Sequence, residues 1–229
     1  MIEDQEDYEA LAYTLRDPAL RAEYARPFDD YRVNVVARVL GWLLVASGNL
    51  VYGRHPSYEK FKAIEVIARV PYQSWEIATY TLLTLFYTSE KRAMDLAKTR
   101  AFSRMAQDNE TMHVVVLSQL VKKYRCAGMV RHTFIPFLFS FFYFVTTFLI
   151  FLVSRRTALE LNYVFENHAF LHYQQFLDEN EETLRDRAIM SDFLDFYGRN
   201  VRSEYEFFEL VRNDELIHRN RSLREIDED

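Results

Sequence analysis

Asn109-Glu110-Thr111-Met112-His113 and Asp214-Glu215-Leu216-Ile217-His218 each place a Glu-x-x-His pair inside a long stretch of helical periodicity. Residues three apart share a helix face, so each stretch can turn one carboxylate and one imidazole toward a common point. One such pair is ordinary in a charged helical protein. Here two further acids stand among apolar neighbours, Glu166 in Tyr163-Val164-Phe165-Glu166-Asn167-His168-Ala169 and Glu65 in Ala63-Ile64-Glu65-Val66-Ile67-Ala68. A carboxylate facing a helix core is costly unless something neutralises it.

A metal centre neutralises four such acids together. The order Glu, Glu-x-x-His, Glu, Glu-x-x-His on successive long helices is the ferritin-like di-iron pattern, in which one Glu from each of two helices joins a Glu-x-x-His from each of the other two. Two Fe(II) ions balance four carboxylates, and hard oxygen plus imidazole ligation suits iron or manganese while leaving positions open for O2. Spacing alone leaves the first ligand open. Glu76 follows Glu65 by eleven residues, about three helical turns, so both acids share a face of an ideal helix. Pro71 lies between them and should kink that helix.

The rest of the chain agrees with an all-α fold. Among 229 residues there are 5 Gly and 5 Pro, too few for the many turns of a β-sandwich or propeller. Cys126 is the single cysteine, which excludes an internal disulfide and any cysteine-built zinc or iron–sulfur site. With 28 Lys and Arg against 34 Asp and Glu, the net charge is −6. Acids crowd both ends, at Glu3, Asp4, Glu6, Asp7 and Glu9 and at Glu225, Asp227, Glu228 and Asp229. Such a chain repels nucleic-acid phosphate, so no nucleic-acid partner is expected. No Gly-rich phosphate loop and no Gly-x-Ser-x-Gly occurs. The acidic start reads neither as a secretory signal nor as an Arg-rich transit peptide.

Helical periodicity places helices at about 31–51, 58–88, 91–124, 133–154, 157–180 and 203–224, with a short one near 185–197. Ser57 is a candidate N-cap, Asp178-Glu179-Asn180 reads as a helix end, and Gly198-Arg199-Asn200 as the opening of the last helix. One domain over 1–229 is expected. Residues 1–57 form an extension with an amphipathic helix, and 58–224 the di-iron four-helix bundle, including an apolar helix at 133–154. From Thr133 to Ser154 no residue is charged, and 22 residues reach about 33 Å, close to a bilayer core of about 30 Å. This helix reads as spanning a membrane, lying in its interface, or buried in a large bundle. Val33–Val51 reads as an amphipathic helix for a membrane or a partner. Arg155 and Arg156 read as headgroup anchors. His168 and His172, four apart, offer a possible metal pair of their own; His55 and His132 read as structural.

These residues resemble the alternative oxidase family, the non-haem di-iron ubiquinol oxidases. Ile64-Glu65-Val66-Ile67-Ala68-Arg69-Val70-Pro71 is similar to that family's first motif, L-E-T-V-A-x-V-P. Asn109 to His113 is similar to N-E-R-M-H, and Phe165 to Tyr173 to L-E-E-E-A-x-x-x-Y. Arg212-Asn213-Asp214-Glu215-Leu216-Ile217-His218-Arg219 is similar to R-A-D-E-A-H-H-R. Leu149 to Ala158 also looks like the segment before the third motif. The likeness covers roughly residues 58–222. It implies Glu65 rather than Glu76 as the first ligand, within the set Glu65, Glu110, His113, Glu166, Glu215 and His218. It implies Tyr173 as the redox-active tyrosine, and Asn109 and Asp214 as residues that orient the ligands. The family pairs its equivalent of Asp214 with an Arg that falls here on Lys60, which offers an ion pair without the bidentate fork.

The chain departs from the family pattern at Tyr72-Gln73, in place of Gly-Met, and at Asn167 and His168, in place of acids. Phe196 or Tyr197 replaces a Trp, and the plant-type regulatory cysteine is missing. The resemblance implies two Fe ions as cofactor and ubiquinol as substrate, with O2 reduced to water without proton pumping. It implies attachment to a mitochondrial or bacterial inner membrane, with quinol or quinone and membrane lipid as partners, as a homodimer or in a larger respiratory complex. Two other readings stand beside the oxidase. One is an accessory structural subunit of a respiratory complex; the other is a di-iron quinone hydroxylase.

Overall fold

The computed structural model describes residues 5–227, nearly all of them helical. Residues 1–4, 228 and 229 lie outside it, and with them Glu3, Asp4, Glu228 and Asp229 of the acidic ends and most of the stretch read for targeting signals. Among the described residues no β-strand forms; one isolated antiparallel bridge joins Ala188 to Ser203. The fold is all-α, as the periodicity predicts.

Four long rods make the bundle. The first is broken in two, α4 (Tyr58–Ala68) and α5 (Val70–Phe86). Ser57 caps α4 by accepting from Lys60 N at 3.3 Å. The break falls at Arg69, because Pro71 in the first turn of α5 has no N–H to continue the ladder. The second rod is α6 (Glu90–Tyr124), the third α8 (Arg155–Asp186) and the fourth α10 (Glu204–Asp227), with α9 (Asp192–Phe196) in the last connection. α6 runs back along α4 and α5, and α10 runs back along α8. Buried acids fix the register at both ends. Glu204 accepts from Tyr58 and Tyr124 at 2.6 Å each and from Lys123 at 2.9 Å. At the other end Arg155 reaches Glu225 at 3.0 Å. Between the ends, aromatic clusters pack above and below mid-bundle: Phe61, Tyr173, Phe176 and Phe208 on one side, Tyr72, Trp75, Phe102 and Phe151 on the other.

Two apolar helices lie outside the rods. α3 (Val35–Tyr52) crosses α8 at Gly41, where a Cβ would come within 2.6 Å of Val164 Cγ1, so only glycine permits this approach. α7 (Ile135–Val153), entered through a wide π-turn at Val130–Phe134, packs along α5 and α4. Both are long and apolar enough to cross a membrane, and both bury only a minor share of their residues within the protein. Val35, Val39, Trp42 and Leu50 on α3, and Phe137, Phe141, Phe142 and Leu149 on α7, point outward. α7 is therefore not the buried bundle core that was one reading of its sequence.

Several expectations are corrected. Helix α8 does not end at Asp178-Glu179-Asn180. It continues to Asp186, carried by Leu184 in the core and by side-chain bonds from Gln174 to Asp178 and from Gln175 to Glu179, 2.7 Å each. The last helix opens at Glu204, not at Gly198-Arg199-Asn200. The N-terminal segment forms two helices that the acid-rich sequence concealed, α1 (Gln5–Thr14) and α2 (Pro18–Ala25), and both lie against α10. Arg155 and Arg156 turn to protein partners, Arg156 meeting Glu160 at 2.9 Å.

Candidate metal centre

Midway along the rods, α4 contributes Glu65, α6 Glu110 and His113, α8 Glu166, and α10 Glu215 and His218. All six side chains are sealed from solvent. The i, i+3 spacing turns each Glu and His of the paired motifs inward on one helix face. Two groups of ligand atoms result, each lying within 4.8 Å of one another: Glu65, Glu110, His113 and Glu215, and then Glu110, Glu166, Glu215 and His218. Glu110 and Glu215 belong to both. His113 Nδ1 lies 3.4 Å from Glu65, 3.5 Å from Glu110 and 3.5 Å from Glu215. His218 Nδ1 lies 3.0 Å from Glu110 and 3.8 Å from Glu215. Glu76 stays outside this cluster and approaches Arg100 at 3.9 Å near the surface.

The hydrogen bonds sort these side chains in a telling way. Tyr173 donates to Glu65 Oε1, and Tyr72 donates to Glu166 Oε1 at 2.8 Å. His113 Nε2 meets Asp214 Oδ2 at 3.0 Å, and His218 Nε2 meets the Tyr8 hydroxyl at 3.1 Å. Each of these four groups thus spends one polar atom outward. Its other atom, Glu65 Oε2, Glu166 Oε2, His113 Nδ1 or His218 Nδ1, makes no hydrogen bond, and for Glu110 and Glu215 neither oxygen makes one. Buried polar atoms left so are expensive. All of them face the common centre, so the donor set fits two cations, with Glu110 and Glu215 shared between them.

Electrostatics leads to the same conclusion. Burial, and then the charge of Glu110, push Glu65 up to about 8. Burial, followed by Glu110, Glu65 and Glu166, raises Glu215 well above the usual carboxylate range. Burial also acts to raise Glu110, but the neighbouring imidazoles of His113 and His218 outweigh it and hold it below that range. For His113, burial disfavours the charged ring, yet Asp214, Glu110 and Glu65 together raise it well above its usual value. Four acids and two imidazoles in a dry pocket can share protons, but divalent cations neutralise the set with better geometry.

The surrounding shell contains residues that the sequence did not reveal. Asn109 Nδ2 donates to Asp214 Oδ2 at 3.2 Å, so both residues expected to orient ligands do touch them or each other. Lys60 does not meet Asp214. Its amine caps the end of α3, at 2.8 Å from Gly53 O and 3.1 Å from Asn49 Oδ1, and Arg199 takes the pairing at 2.9 Å. Tyr72, one of the departures from the family pattern, holds Glu166 and is itself held by Asn162 at 2.8 Å. Tyr8 and Arg199 come from segments with no motif. Their signal was long-range contact, which one sequence does not display.

Beside the centre lies an apolar cavity bounded by α3, α4, α7 and α8, with Glu65 and Tyr173 at its inner wall. Ile67, Ile135, Phe139 and Phe165 give it an oily lining, and Lys60, His168 and His172 are among its polar residues. The His168 and His172 rings lie 4.2 Å apart and face this cavity, apart from the ligand cluster. A family model for alternative oxidase matches residues 28–224, which include all six cluster residues. No curated protein and no solved structure matches the chain. With most of its length matched and the acid and imidazole groups gathered at one buried point, the chain belongs to the alternative oxidase family.

Proposed function

We propose that this protein is a membrane-bound quinol oxidase, and that Glu65, Glu110, His113, Glu166, Glu215 and His218 hold two iron ions. The observation that carries the reading is the cavity whose inner wall is Glu65 and Tyr173 and whose outer wall is built from the two exposed apolar helices. It suits a flat, mostly apolar head group that arrives from lipid and presents hydroxyl groups inward. When bound, the iron pair supplies the redox chemistry by which two quinols give four electrons and four protons to one O2, yielding two waters.

The chain's own residues prepare that chemistry. Ile67, Phe139 and Phe165 exclude water from the quinol ring. His172 is pushed down to about 4 by burial, by His168 and by Lys60. It therefore stays neutral at physiological pH and offers a quinol hydroxyl a hydrogen-bond acceptor. Tyr173 is buried, stacks on Phe61 with ring centroids 4.0 Å apart, and binds Glu65. It is the group between quinol and metal that can pass an electron and a proton. Asn109 and Asp214 hold the ligand His113 in place. Turnover in this reading is non-electrogenic, as the family resemblance implies. The proposed site of action is an inner membrane, mitochondrial or bacterial, with α3 and α7 against lipid.

Oxygen uptake by the purified, iron-loaded protein on adding a short-chain ubiquinol tests the reading. Uptake scaling with iron content supports it. Two irons per chain without uptake would favour the second reading, an accessory subunit that keeps its metal for stability; the outward apolar faces of α3 and α7 would then meet protein. A hydroxylated quinone product would point to the hydroxylase.

A further inference from the structure

Helix α1 lies ahead of residue 28, where the family match begins, yet one of its side chains touches a residue of the cluster and the next is linked to it through Arg199 and Asp214. The Tyr8 hydroxyl lies 3.1 Å from His218 Nε2 and donates to Asn109 Oδ1 at 3.3 Å. Its ring stacks on the imidazole at 5.9 Å and 26°. Glu9 meets Arg199 at 2.6 Å, and Arg199 in turn meets Asp214 at 2.9 Å. Tyr8 is sealed from solvent.

The directions of these bonds are constrained. His218 Nδ1 faces the ligand cluster, so a ring that gives its Nδ1 lone pair to a cation keeps its proton on Nε2. That N–H must find an acceptor, and the Tyr8 oxygen is the atom in reach. Tyr8 then spends its own proton on Asn109, whose amide donates to Asp214. His113 donates to the same Asp214 oxygen from its Nε2. A single belt results: His218 to Tyr8 to Asn109 to Asp214, closed from the other side by His113.

We infer that Tyr8 is a positioning residue of the metal centre, fixing the tautomer and orientation of His218 from a helix outside the family core. The inference rests on the metal reading above. His113 is backed by a carboxylate and His218 by a neutral phenol, so the two cation positions are inequivalent. The position served by His218 is touched by Tyr8 directly, and the other is linked to α1 only at a distance, through Asp214.

Iron-loaded wild type, Tyr8→Phe and Tyr13→Phe, each exposed to a ferrous chelator, test this. Tyr13 also anchors α1, through Asn200 N at 2.8 Å, but touches no ligand. In Tyr8→Phe one of the two irons should leave about ten- to a hundredfold faster, the cost usual for a lost ligand-orienting bond, while the other keeps its wild-type rate. Tyr13→Phe should release both at the wild-type rate. Equal acceleration of both irons in Tyr8→Phe, or none, overturns the inference and leaves the metal reading intact. Wild type that takes up no iron overturns both. Should Tyr8→Phe fail to fold, the zinc-loaded wild type with 15N-labelled histidine decides. A ring bound through Nδ1 with a slowly exchanging Nε2–H at His218 is expected; binding through Nε2 overturns it.

Discussion

Arg199 and Asp214 form a buried ion pair at 2.9 Å in the heart of the bundle, and both are sealed from solvent. Burial works to raise Asp214, but Arg199 and His113 outweigh it and keep the carboxyl below its usual range. Removing the guanidinium leaves the buried Asp214 carboxylate with His113 as its remaining partner. Arg199→Ala should therefore destabilise the fold by about 3–5 kcal/mol in denaturant titration. Lys60→Met should leave Asp214 untouched and cost about 1–3 kcal/mol, the scale of the backbone carbonyls it strands at the end of α3.

Glu110 and Glu215 belong to both ligand groups, whereas Glu65 and Glu166 each belong to one. Glu110→Ala or Glu215→Ala should abolish iron loading measured by elemental analysis. Glu65→Ala or Glu166→Ala should leave about one iron per chain, because the cation served by the intact group keeps most of its donors. Full occupancy in either shared-residue variant would remove those residues from the centre.

Tyr173→Phe deletes the hydroxyl that binds Glu65 while keeping the stack on Phe61. Iron content should be unchanged and kcat should fall about a hundredfold, the scale of losing a placed proton-transfer group. An unchanged kcat would make Tyr173 a packing residue.

His172 supplies a pH dependence. Its value falls from the ordinary 6.5 to about 4 through burial, His168 and Lys60. Between those two values the unfolded chain binds the proton and the folded one does not, so stability is present above 6.5 and is lost as pH falls toward 4. His172→Asn should flatten the decline in Tm over that window, while leaving Tm near pH 8 within a few degrees of wild type.

The two Glu-x-x-His pairs were legible because their spacing is local: three residues along a helix fix a shared face whatever the tertiary structure. Choosing Glu65 over Glu76 was not legible from spacing, since both acids sit on one face of an unbroken helix. The break at Arg69, which Pro71 foretold, separates them, and the family likeness alone chose Glu65. Tyr8 and Arg199 carried no functional mark, and Tyr72 stood out only as a departure from the family pattern. In a chain with 15 Tyr, nothing local distinguishes a ligand-holding hydroxyl from a packing ring. The Lys60 reading failed because the nearby carbonyls of Gly53 and Arg54 satisfy a short-range ammonium better than a distant carboxylate does. Helices α1 and α2 escaped notice because their apolar residues are sparse, and the face that makes them helical is supplied by α10.

The cavity beside Glu65 is walled by α3 and α7, the same two helices whose outer faces shed water. A substrate reaching it by that route is counted per lipid molecule and not per litre. Diluting the protein with empty vesicle lipid at constant total quinol should slow turnover as surely as withholding quinol, and the rate would follow the crowding of a two-dimensional sheet.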